Sequence, residues 1–260
     1  AVQPGALTTP DCITFHRRLR SLADGGAGRV VAEVSSHALD QDRVAGVRFS
    51  VVAFTNLSRD HLDYHGDLDR YGAAKARLFQ GRAAAAVINT GDAFGRRLAA
   101  ELPRETRLVR VAVAPGDTTA DIVAAVTELS PVGLTLALSG TLGTATLRSP
   151  LWGRFNAENL VVATGMLVAM GHSLPQAAAA LAGCTAPPGR LERVGRGTPG
   201  KPAVVVDFAH TPDALEKVLT ALREHCTGHL WCVFGCGGNR DTGKRAPMGA
   251  VAARLADQVV

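Results

Sequence analysis

The sequence contains few aromatic residues and no patterned cysteines, and these absences exclude several classes of protein. Phe, Trp and Tyr make up 5% of the 260 residues, and the five cysteines form no CxxC pair and no zinc-type spacing. An odd number of unpatterned cysteines is typical of a reducing compartment, not of a disulfide-stapled secreted domain. No apolar run reaches membrane length and no signal peptide is visible, so we expect a cytoplasmic protein with no membrane partner.

Runs of basic residues are also missing, although the net charge is +5 and the pI is near 9.2. No five consecutive residues are all Lys or Arg; many of the cations lie singly in glycine-containing loops, as Arg190, Arg240, Lys244 and Arg245 do. Cations dispersed over loops indicate that the ligands are anionic small molecules and not a nucleic-acid backbone. We therefore expect no nucleic-acid partner.

The length allows one large domain or two ordinary ones. The chain begins at Ala1 without a methionine and stops where a strand pattern begins, at Gln258–Val260. We expect from this that the sequence is an internal piece of a longer protein.

Strand and helix patterns alternate through the first part of the chain, which predicts an α/β fold with a doubly wound, mostly parallel sheet. The predicted strands are 29–34, 47–54, 83–89 and 107–113, and the predicted helices are 67–80 and 94–101. Three short strands follow, at 122–128, 133–138 and 144–147, and their turn residues predict a small antiparallel edge sheet. Helices are predicted at 155–170, with Asn156 as its N-cap, and at 175–181.

The best domain boundary is the Pro187-Pro188-Gly189 turn, because it stops a helix and stiffens a linker. It predicts a central domain over residues 1–188 and the start of a second, Rossmann-like domain over 189–260. The predicted elements of the second domain are strands 203–206 and 230–234, a helix from Pro212 to about His225 capped by Thr211, and a helix over 244–255.

The most informative candidate site follows the predicted strand that ends at Phe54. A dense cluster of polar residues, which includes His61, comes directly after that strand. Open α/β sheets build their sites at such carboxyl ends of strands. Glu33 also lies at a predicted strand end, and a carboxylate and an imidazole there could bind a divalent cation. Lys75 follows on a predicted helix. A lysine beside a cation is a contradiction unless its charge is removed, so spacing alone favours an ordinary solvated lysine.

A second pattern, Gly238 to Lys244, has the Gly-x4-Gly-Lys spacing of a phosphate loop between a strand and a helix. The next residue should be Ser or Thr to bind Mg²⁺, but it is Arg245. We therefore reject the phosphate-loop interpretation. Taken alone, Thr8-Thr9-Pro10 indicates only a turn.

Four motifs give the chain a specific resemblance. They are Glu33-Val34-Ser35-Ser36-His37, Asp60-His61-Leu62-Asp63, Ala73-Ala74-Lys75 and Asp207-Phe208-Ala209-His210-Thr211-Pro212. With them the chain resembles the Mur ligase family, the ATP-dependent amide ligases of peptidoglycan precursor synthesis, over essentially all its residues. The first motif narrows the resemblance to the member that adds the third residue of the stem peptide. The resemblance implies that this residue, expected to be meso-diaminopimelate, is joined to UDP-N-acetylmuramoyl-L-alanyl-D-glutamate.

The resemblance implies a role for each candidate residue. Lys75 would be carbamylated and would help Glu33 and His61 to hold Mg²⁺, of which the family binds two. The residues that would contact the UDP-N-acetylmuramoyl dipeptide are Thr8, Thr9, Ser35, Gln41 and Arg43, although Leu7 stands where the family usually has Asn. Arg240 would bind the carboxylate of the incoming diamino acid. The residues that would contact ATP are Asn156, Asn159, Arg190, Asp207 and His210. We expect a monomer.

Two alternatives to this function stay open, and a third is disfavoured. A homologue that adds L-lysine is one, because the loop that selects the diamino acid is expected after Val260. A non-catalytic nucleotide- or muropeptide-binding module is another, because the family's phosphate loop is expected before Ala1; for the same reason we expect the chain alone to be inactive. Folylpolyglutamate synthetase is disfavoured by the motifs at Glu33 and Asp207 together.

Overall fold

The computed structural model of the protein describes residues 7–58, 61–81, 83–194, 202–237 and 242–260. The chain divides into two compact units, Ala1–Arg110 and Val111–Val260. Helices and strands alternate in both, which confirms the predicted α/β class.

The first unit contains short helices and parallel strands. Its elements are α1 (Cys12–Asp24), α2 (Ser36–Asp40), β1 (Val51–Phe54), α3 (Leu62–His65), α4 (Leu68–Ala76), β2 (Ala85–Asn89), α5 (Ala93–Glu101) and β3 (Arg107–Ala112), the last of which crosses the division. A 3-10 turn over Arg77–Phe79 extends α4, so the helix predicted over 67–80 is confirmed. Helix α1 was not predicted; it begins after Asp11, whose carboxylate accepts a hydrogen bond from the Thr14 N–H.

Residues 29–34 do not form the buried strand that the sequence predicts. They run without regular secondary structure, and Val31 is 83% exposed. An apolar run becomes a strand only where a neighbour takes up its backbone hydrogen bonds. Among the described residues, no strand pairs with this segment.

The second unit begins with antiparallel strands and continues into a smaller α/β region. Its elements are β4 (Ile122–Ser130), β5 (Gly133–Ser139), β6 (Ala145–Ser149), α6 (Arg154–Ala169), α7 (Leu174–Leu181), β7 (Glu192–Val194), β8 (Val204–Val206), α8 (Pro212–His225), β9 (Trp231–Cys232), α9 (Arg245–Leu255) and β10 (Gln258–Val259). The predicted strand over 230–234 is therefore present but shorter. Thr211 caps α8 and Pro212 is its first residue, as predicted.

The main sheet is six-stranded, in the order β1-β2-β3-β4-β5-β6. β1 pairs with β2, and β3 with β4, in parallel; β4, β5 and β6 pair antiparallel, with β6 at the edge. The predicted antiparallel edge is thus confirmed. In the smaller region, β7 pairs antiparallel with β8, and β9 pairs in parallel with β10.

Asn156 is not the N-cap of α6, contrary to the prediction. The cap position is Gly153, at φ 87°, and α6 begins at Arg154. Asn156 lies in the first turn instead, where its side-chain amide donates to the carbonyl of Trp152 at 2.7 Å. Gly153 was not recognised as a cap because it offers no side chain to satisfy the first N–H groups of the helix.

Close packing of α5 against β2 holds the end of the first strand pair together. A Cβ on Gly95 would lie 2.0 Å from the carbonyl oxygen of Asn89, so only glycine permits this approach. The core beneath consists of buried Val52, Phe54 and Ile88 with their neighbours. In the described part of the chain no helix is both long and apolar enough to cross a membrane.

Candidate active site

Thr9 organises the first candidate group, which lies wholly in the first unit. Its side chain is fully buried; the hydroxyl donates to the Glu33 carbonyl at 2.9 Å and accepts from the Ser35 N–H at 3.1 Å. Ser35 in turn caps α2 by accepting from the Ala38 N–H. The Thr-Thr turn is therefore joined to the Glu-Val-Ser-Ser-His segment, and exposed Thr8 lies next to it.

Arg43 joins this group through three hydrogen bonds. Its guanidinium donates to the Thr9 carbonyl at 2.9 Å and, through Nε and Nη2, to the Gln41 side-chain oxygen at 3.0 and 2.6 Å. The Gln41 amide donates to the Tyr64 hydroxyl, which donates to Asp40. The structure therefore brings Thr9, Ser35, Gln41 and Arg43 into one hydrogen-bonded group.

An aromatic cluster adjoins this group. We define it as the side chains of His37, His61, Tyr64, His65 and Tyr71. The His37 ring lies 5.0 Å from the ring of His61, 4.1 Å from that of Tyr64 and 5.4 Å from that of His65, centre to centre. His65 stacks on Tyr71 at 5.1 Å. Sequence reasoning missed His37, Tyr64 and Tyr71, although a His in the first helical turn after Ser35 was a usable signal.

His61 and Lys75 lie beside the same ring of this cluster. The His61 ring is 6.0 Å from the Tyr71 ring, and the Lys75 ammonium nitrogen is 4.9 Å from that ring. His61 has φ 54°, an unusual value for a residue other than glycine, and such conformations often mark functional sites. The structure thus places the two residues in one neighbourhood. Glu33 is exposed, and its backbone carbonyl is held by Thr9.

The donors near Lys75 do not make a cation site by themselves. Within the described ranges, no three His, Cys, Asp or Glu side chains come together in a way that could hold a metal ion. Mg²⁺ prefers oxygen ligands, and an ammonium group offers it none. The residues fit Mg²⁺ only if Lys75 carries an oxygen-bearing modification, as the carbamate expected from the resemblance would.

His65 is buried in the cluster, and its Nε2 lies 2.9 Å from the Ser36 hydroxyl. Burial lowers the pKa of His65 below its ordinary value near 6.5. Positive charge on His37, His61 and Lys75 lowers the pKa further, and the Asp40 carboxylate opposes these effects.

Two residues that sequence reasoning missed hold the loop after β1. The Asn89 amide donates to the Thr55 carbonyl at 2.8 Å, and Asp92 accepts from the Leu57 N–H at 3.0 Å. Asp92 also caps α5. Asn89 is the last residue of β2 and Asp92 lies shortly after it, and that polar strand end was the available signal.

The second unit carries the expected nucleotide residues in two places. Asp207 accepts from the Leu191 and Ala209 N–H groups, both at 2.8 Å. The Arg190 guanidinium lies 5.7 Å from the ring of Phe208, which is 64% exposed. His210 packs edge-on to Phe208 at 5.3 Å. Arg190 and His210 therefore lie beside one exposed aromatic ring, and Asp207 precedes that residue in the chain.

Asn156 and Asn159 form the other place, at the start of α6. Asn159 donates to the Asn156 side-chain oxygen at 3.1 Å, and Asn156 donates to the Trp152 carbonyl. The two asparagines are thus oriented by each other. Arg240, expected to bind the diamino acid, lies outside the described residues, as does most of the candidate phosphate-loop sequence. All five cysteines are free.

Comparison with known proteins gives a consistent picture. The Mur ligase middle domain matches residues 2–167, and the Mur ligase glutamate ligase domain matches residues 189–260. A UDP-N-acetylmuramoyl-L-alanyl-D-glutamate–2,6-diaminopimelate ligase from Xylella fastidiosa is 51% identical over 259 residues, which are 99% of this chain and 52% of the relative. The chain therefore spans about half the length of the curated relatives that it matches.

Solved structures agree. A structure of a UDP-N-acetylmuramoyl-L-alanyl-D-glutamate–2,6-diaminopimelate ligase has a TM-score of 0.80 at 37% identity, over 96% of this chain and 51% of that one. The folylpolyglutamate synthase of Mycobacterium tuberculosis has a TM-score of 0.68 at 24% identity, over 92% of this chain and 53% of that one, which shows a shared fold alone. Because the middle-domain match covers more than half of its residues, the chain belongs to the Mur ligase family.

Proposed function

We propose that the chain is part of an ATP-dependent ligase that joins meso-diaminopimelate to UDP-N-acetylmuramoyl-L-alanyl-D-glutamate in peptidoglycan precursor synthesis. One geometric observation carries the proposal: Thr9, Ser35, Gln41 and Arg43 form a single hydrogen-bonded group that Tyr64 links to the cluster holding His61. The 51% identity to a ligase of that name supports it. The proposed location is the cytoplasm and the proposed form a monomer.

The reaction needs an activated carboxylate, because a carboxylate is a poor acyl donor. The side-chain carboxylate of the D-glutamate residue attacks the γ-phosphorus of ATP, and ADP leaves. The amine of the diamino acid then attacks the acyl phosphate, and phosphate leaves with the C–O bond electrons while the amine proton passes to solvent. Thr8, Ser35, Gln41 and Arg43 would hold the dipeptide, and buried Thr9 would fix Ser35 and Arg43 through its own hydrogen bonds. Positioning of this kind supplies much of the rate in phosphoryl transfer.

Glu33, His61 and a carbamylated Lys75 would hold Mg²⁺ beside this group. When bound, Mg²⁺ offsets the charge repulsion between the ATP phosphates and the attacking carboxylate. The carbamate replaces a cation with an anion at Lys75, which removes the repulsion that a bare ammonium would add. His61 is exposed at the start of α3, where its ring can reach a ligand.

The nucleotide would be held by the second unit. Asn159 offers a side-chain amide suited to the adenine base, and Asn156 orients it. Arg190 offers a permanent cation for the phosphates. Asp207 has carboxylate lone pairs left after its two backbone contacts, and these suit a ribose hydroxyl. His210 lies beside them with its ring near Phe208.

The direct test is a ligation assay with the whole ligase, ATP and UDP-N-acetylmuramoyl-L-alanyl-D-glutamate. We expect phosphate release and the tripeptide product by mass with meso-diaminopimelate. Faster turnover with L-lysine would favour the lysine-adding alternative. Nucleotide binding without turnover of either amino acid would favour the non-catalytic module. Because the chain spans about half of its relatives, we expect the 260-residue chain alone to release no phosphate above background.

Arg240 separates the two substrates in the same assay. A guanidinium binds a carboxylate through two hydrogen bonds, and its removal leaves that carboxylate unpaired. We expect Arg240→Ala to raise the KM for the diamino acid by about 10- to 100-fold, far more than the KM for ATP. Equal increases in both would favour the phosphate-loop interpretation of residues 238–244.

A further inference from the structure

One tryptophan joins the two segments that the family matches define. Trp152 precedes α6, yet its side chain belongs to the core formed by the smaller α/β region. The other buried members of this core, Leu191 among them, all lie between residues 191 and 252. Among the described residues, Trp152 is the sole member of this core from before residue 189. It therefore anchors the start of α6 in the smaller region.

His225 completes the anchor from the end of α8. The side chain is 2% exposed and its ring stacks on that of Trp152, at 5.2 Å between centres and 7° between planes. Nε2 lies 2.8 Å from the Gly153 nitrogen, and Nδ1 lies 2.7 Å from the Ser130 carbonyl oxygen. We call His225, Trp152, Gly153 and Ser130 the joint.

The backbone partners determine the protonation of the ring. A backbone N–H can only donate, so Nε2 must accept from Gly153; a carbonyl can only accept, so Nδ1 must donate to Ser130. His225 is thus a neutral imidazole with its hydrogen on Nδ1. The position that donates to Nε2 favours glycine. Gly153 has φ 87°, and a Cβ there would come within 2.7 Å of the Phe155 ring.

Charged groups around the joint add further links between the same segments. Arg154, at the start of α6, pairs with Glu224 of α8 at 2.6 Å. The Arg193 guanidinium of β7 lies 5.5 Å from the Trp152 ring and donates to the Pro131 carbonyl at 3.3 Å. The two hydrogen bonds of His225 itself, by contrast, are made to neutral backbone groups.

The joint is connected to both places expected to hold the nucleotide. On one side, the Trp152 carbonyl accepts from the amide of Asn156, which orients Asn159. On the other, the Trp152 ring shares a core with Leu191, whose N–H donates to Asp207. A displacement of Trp152 therefore changes the position of the asparagine pair relative to Asp207.

We propose that His225 is a positioning residue whose neutral Nδ1–H imidazole, locked between Gly153 and Ser130, holds Trp152 and thereby sets the asparagine pair against Arg190 and Asp207 for nucleotide binding. The inference rests on the proposed function, because it assumes that these residues bind ATP. His225 touches no substrate itself; it acts through Trp152 and Gly153. Substitution of His225 is therefore expected to weaken the binding of the nucleotide and not that of the dipeptide.

The tautomer is tested by NMR on the 260-residue chain with ¹⁵N-labelled histidine. We expect His225 to show a protonated Nδ1 and an unprotonated Nε2, the less common form of free histidine in water. The chain contains two tryptophans, Trp152 and Trp231, so Trp231→Phe isolates the fluorescence of Trp152. In that background His225→Phe should shift the Trp152 emission and increase its quenching by acrylamide. A protonated Nε2, or unchanged emission and quenching, would overturn the proposal.

Binding to the whole ligase tests the positioning role. His225→Phe keeps the ring and removes both hydrogen bonds; His225→Asn keeps a donor near Nδ1, and His225→Gln keeps an acceptor near Nε2. We expect the dissociation constant of ATP to rise by about tenfold in His225→Phe, which corresponds to the loss of about one hydrogen bond to the nucleotide, and by less in the other two variants. The dissociation constant of the UDP dipeptide should not change. His229→Phe is the control, because His229 is an exposed histidine just after the end of α8.

The outcomes separate the two proposals. Failure of the unsubstituted ligase to bind ATP would contradict the proposed function. ATP binding unchanged in a folded His225→Phe, or ATP and dipeptide binding weakened alike, would overturn the positioning role. If His225→Phe does not fold by circular dichroism, His225→Asn and His225→Gln decide: weaker ATP binding with dipeptide binding intact supports the role, and unchanged ATP binding overturns it.

Discussion

The two buried histidines among the described residues, His65 and His225, are held in opposite ways. His225 lies between a backbone N–H, which can only donate, and a backbone carbonyl, which can only accept. Together they are compatible with one tautomer of the ring. His65 has a hydroxyl partner, Ser36, which can donate or accept and so tolerates either tautomer. Moreover, the rings and charges around His65 include His37, His61 and Lys75, whereas the ring face of His225 packs on Trp152.

The difference indicates what each region is suited to do. A histidine locked by backbone groups is rigid and contributes to stability. A histidine in a cluster of titratable and exposed side chains is suited to chemistry, because its neighbours can change charge or bind a ligand. We therefore expect substitutions in the aromatic cluster to affect turnover more than stability, and substitutions in the joint to affect stability more than the chemical step.

The largest effect is expected at Lys75. In the whole ligase, Lys75→Ala should lower kcat by roughly 10²- to 10³-fold, since it removes the carbamate that would bind Mg²⁺. A short-chain carboxylic acid should restore part of the activity by filling the space with an oxygen ligand. The measurement is phosphate release with and without acid, at fixed Mg²⁺ and pH.

His61→Ala is the matched control for Lys75→Ala. It removes an imidazole and leaves the lysine in place, so added acid should not restore its activity. The half-buried position of Lys75 predicts that Lys75→Ala leaves the urea midpoint of the chain nearly unchanged. Wild-type turnover in Lys75→Ala without acid would show an ordinary surface lysine and would break the contrast between the two regions.

The next effect concerns stability. His225→Phe leaves the buried Gly153 N–H and the half-buried Ser130 carbonyl without their partner, which should cost roughly 2–5 kcal/mol of unfolding free energy. His65→Phe leaves only the Ser36 hydroxyl, which can rotate to another partner, and should cost roughly 1–2 kcal/mol. Urea unfolding of both variants gives the comparison. Equal losses would mean that backbone and hydroxyl partners hold a buried histidine equally well.

A pH titration sharpens the same contrast. Because the pKa of His65 is lowered in the folded chain, the unfolded chain takes up a proton first as the pH falls below about 6.5. Stability should therefore decrease from pH 7 to pH 5, by at most about 1.4 kcal/mol per pH unit from this residue. His65→Asn should flatten the dependence. His229→Asn, at an exposed histidine, should keep it; the same slope in both variants would contradict the assignment to His65.

The smallest effect is expected for Trp152→Phe. Within the described residues the indole Nε1–H is buried and has no hydrogen-bond partner, so its removal breaks no polar contact. The remaining loss is packing volume, at roughly 1–2 kcal/mol. Differential scanning calorimetry of Trp152→Phe beside His225→Phe would test this order; a larger loss for Trp152→Phe would show that stacking outweighs the hydrogen bonds in the joint.

The sequence by itself determined the local features of the protein. The alternation of strands and helices, the antiparallel edge and the cap of α8 by Thr211 follow from residue spacing and from contacts within a few residues. The motifs at Glu33, His61 and Lys75 likewise indicated the family before any contact was known. These predictions succeeded because turn, cap and periodicity signals depend on neighbours in the chain.

Only the tertiary structure decided features that depend on distant partners. An apolar pattern predicted a strand over residues 29–34, but strand formation requires a neighbouring strand, which spacing does not reveal. The Asn156 side chain is oriented by Trp152, and Trp152 is held by His225, a contact across more than seventy residues. A lone histidine at a helix end is locally unremarkable; its role came from two backbone groups that folding places at its two nitrogens.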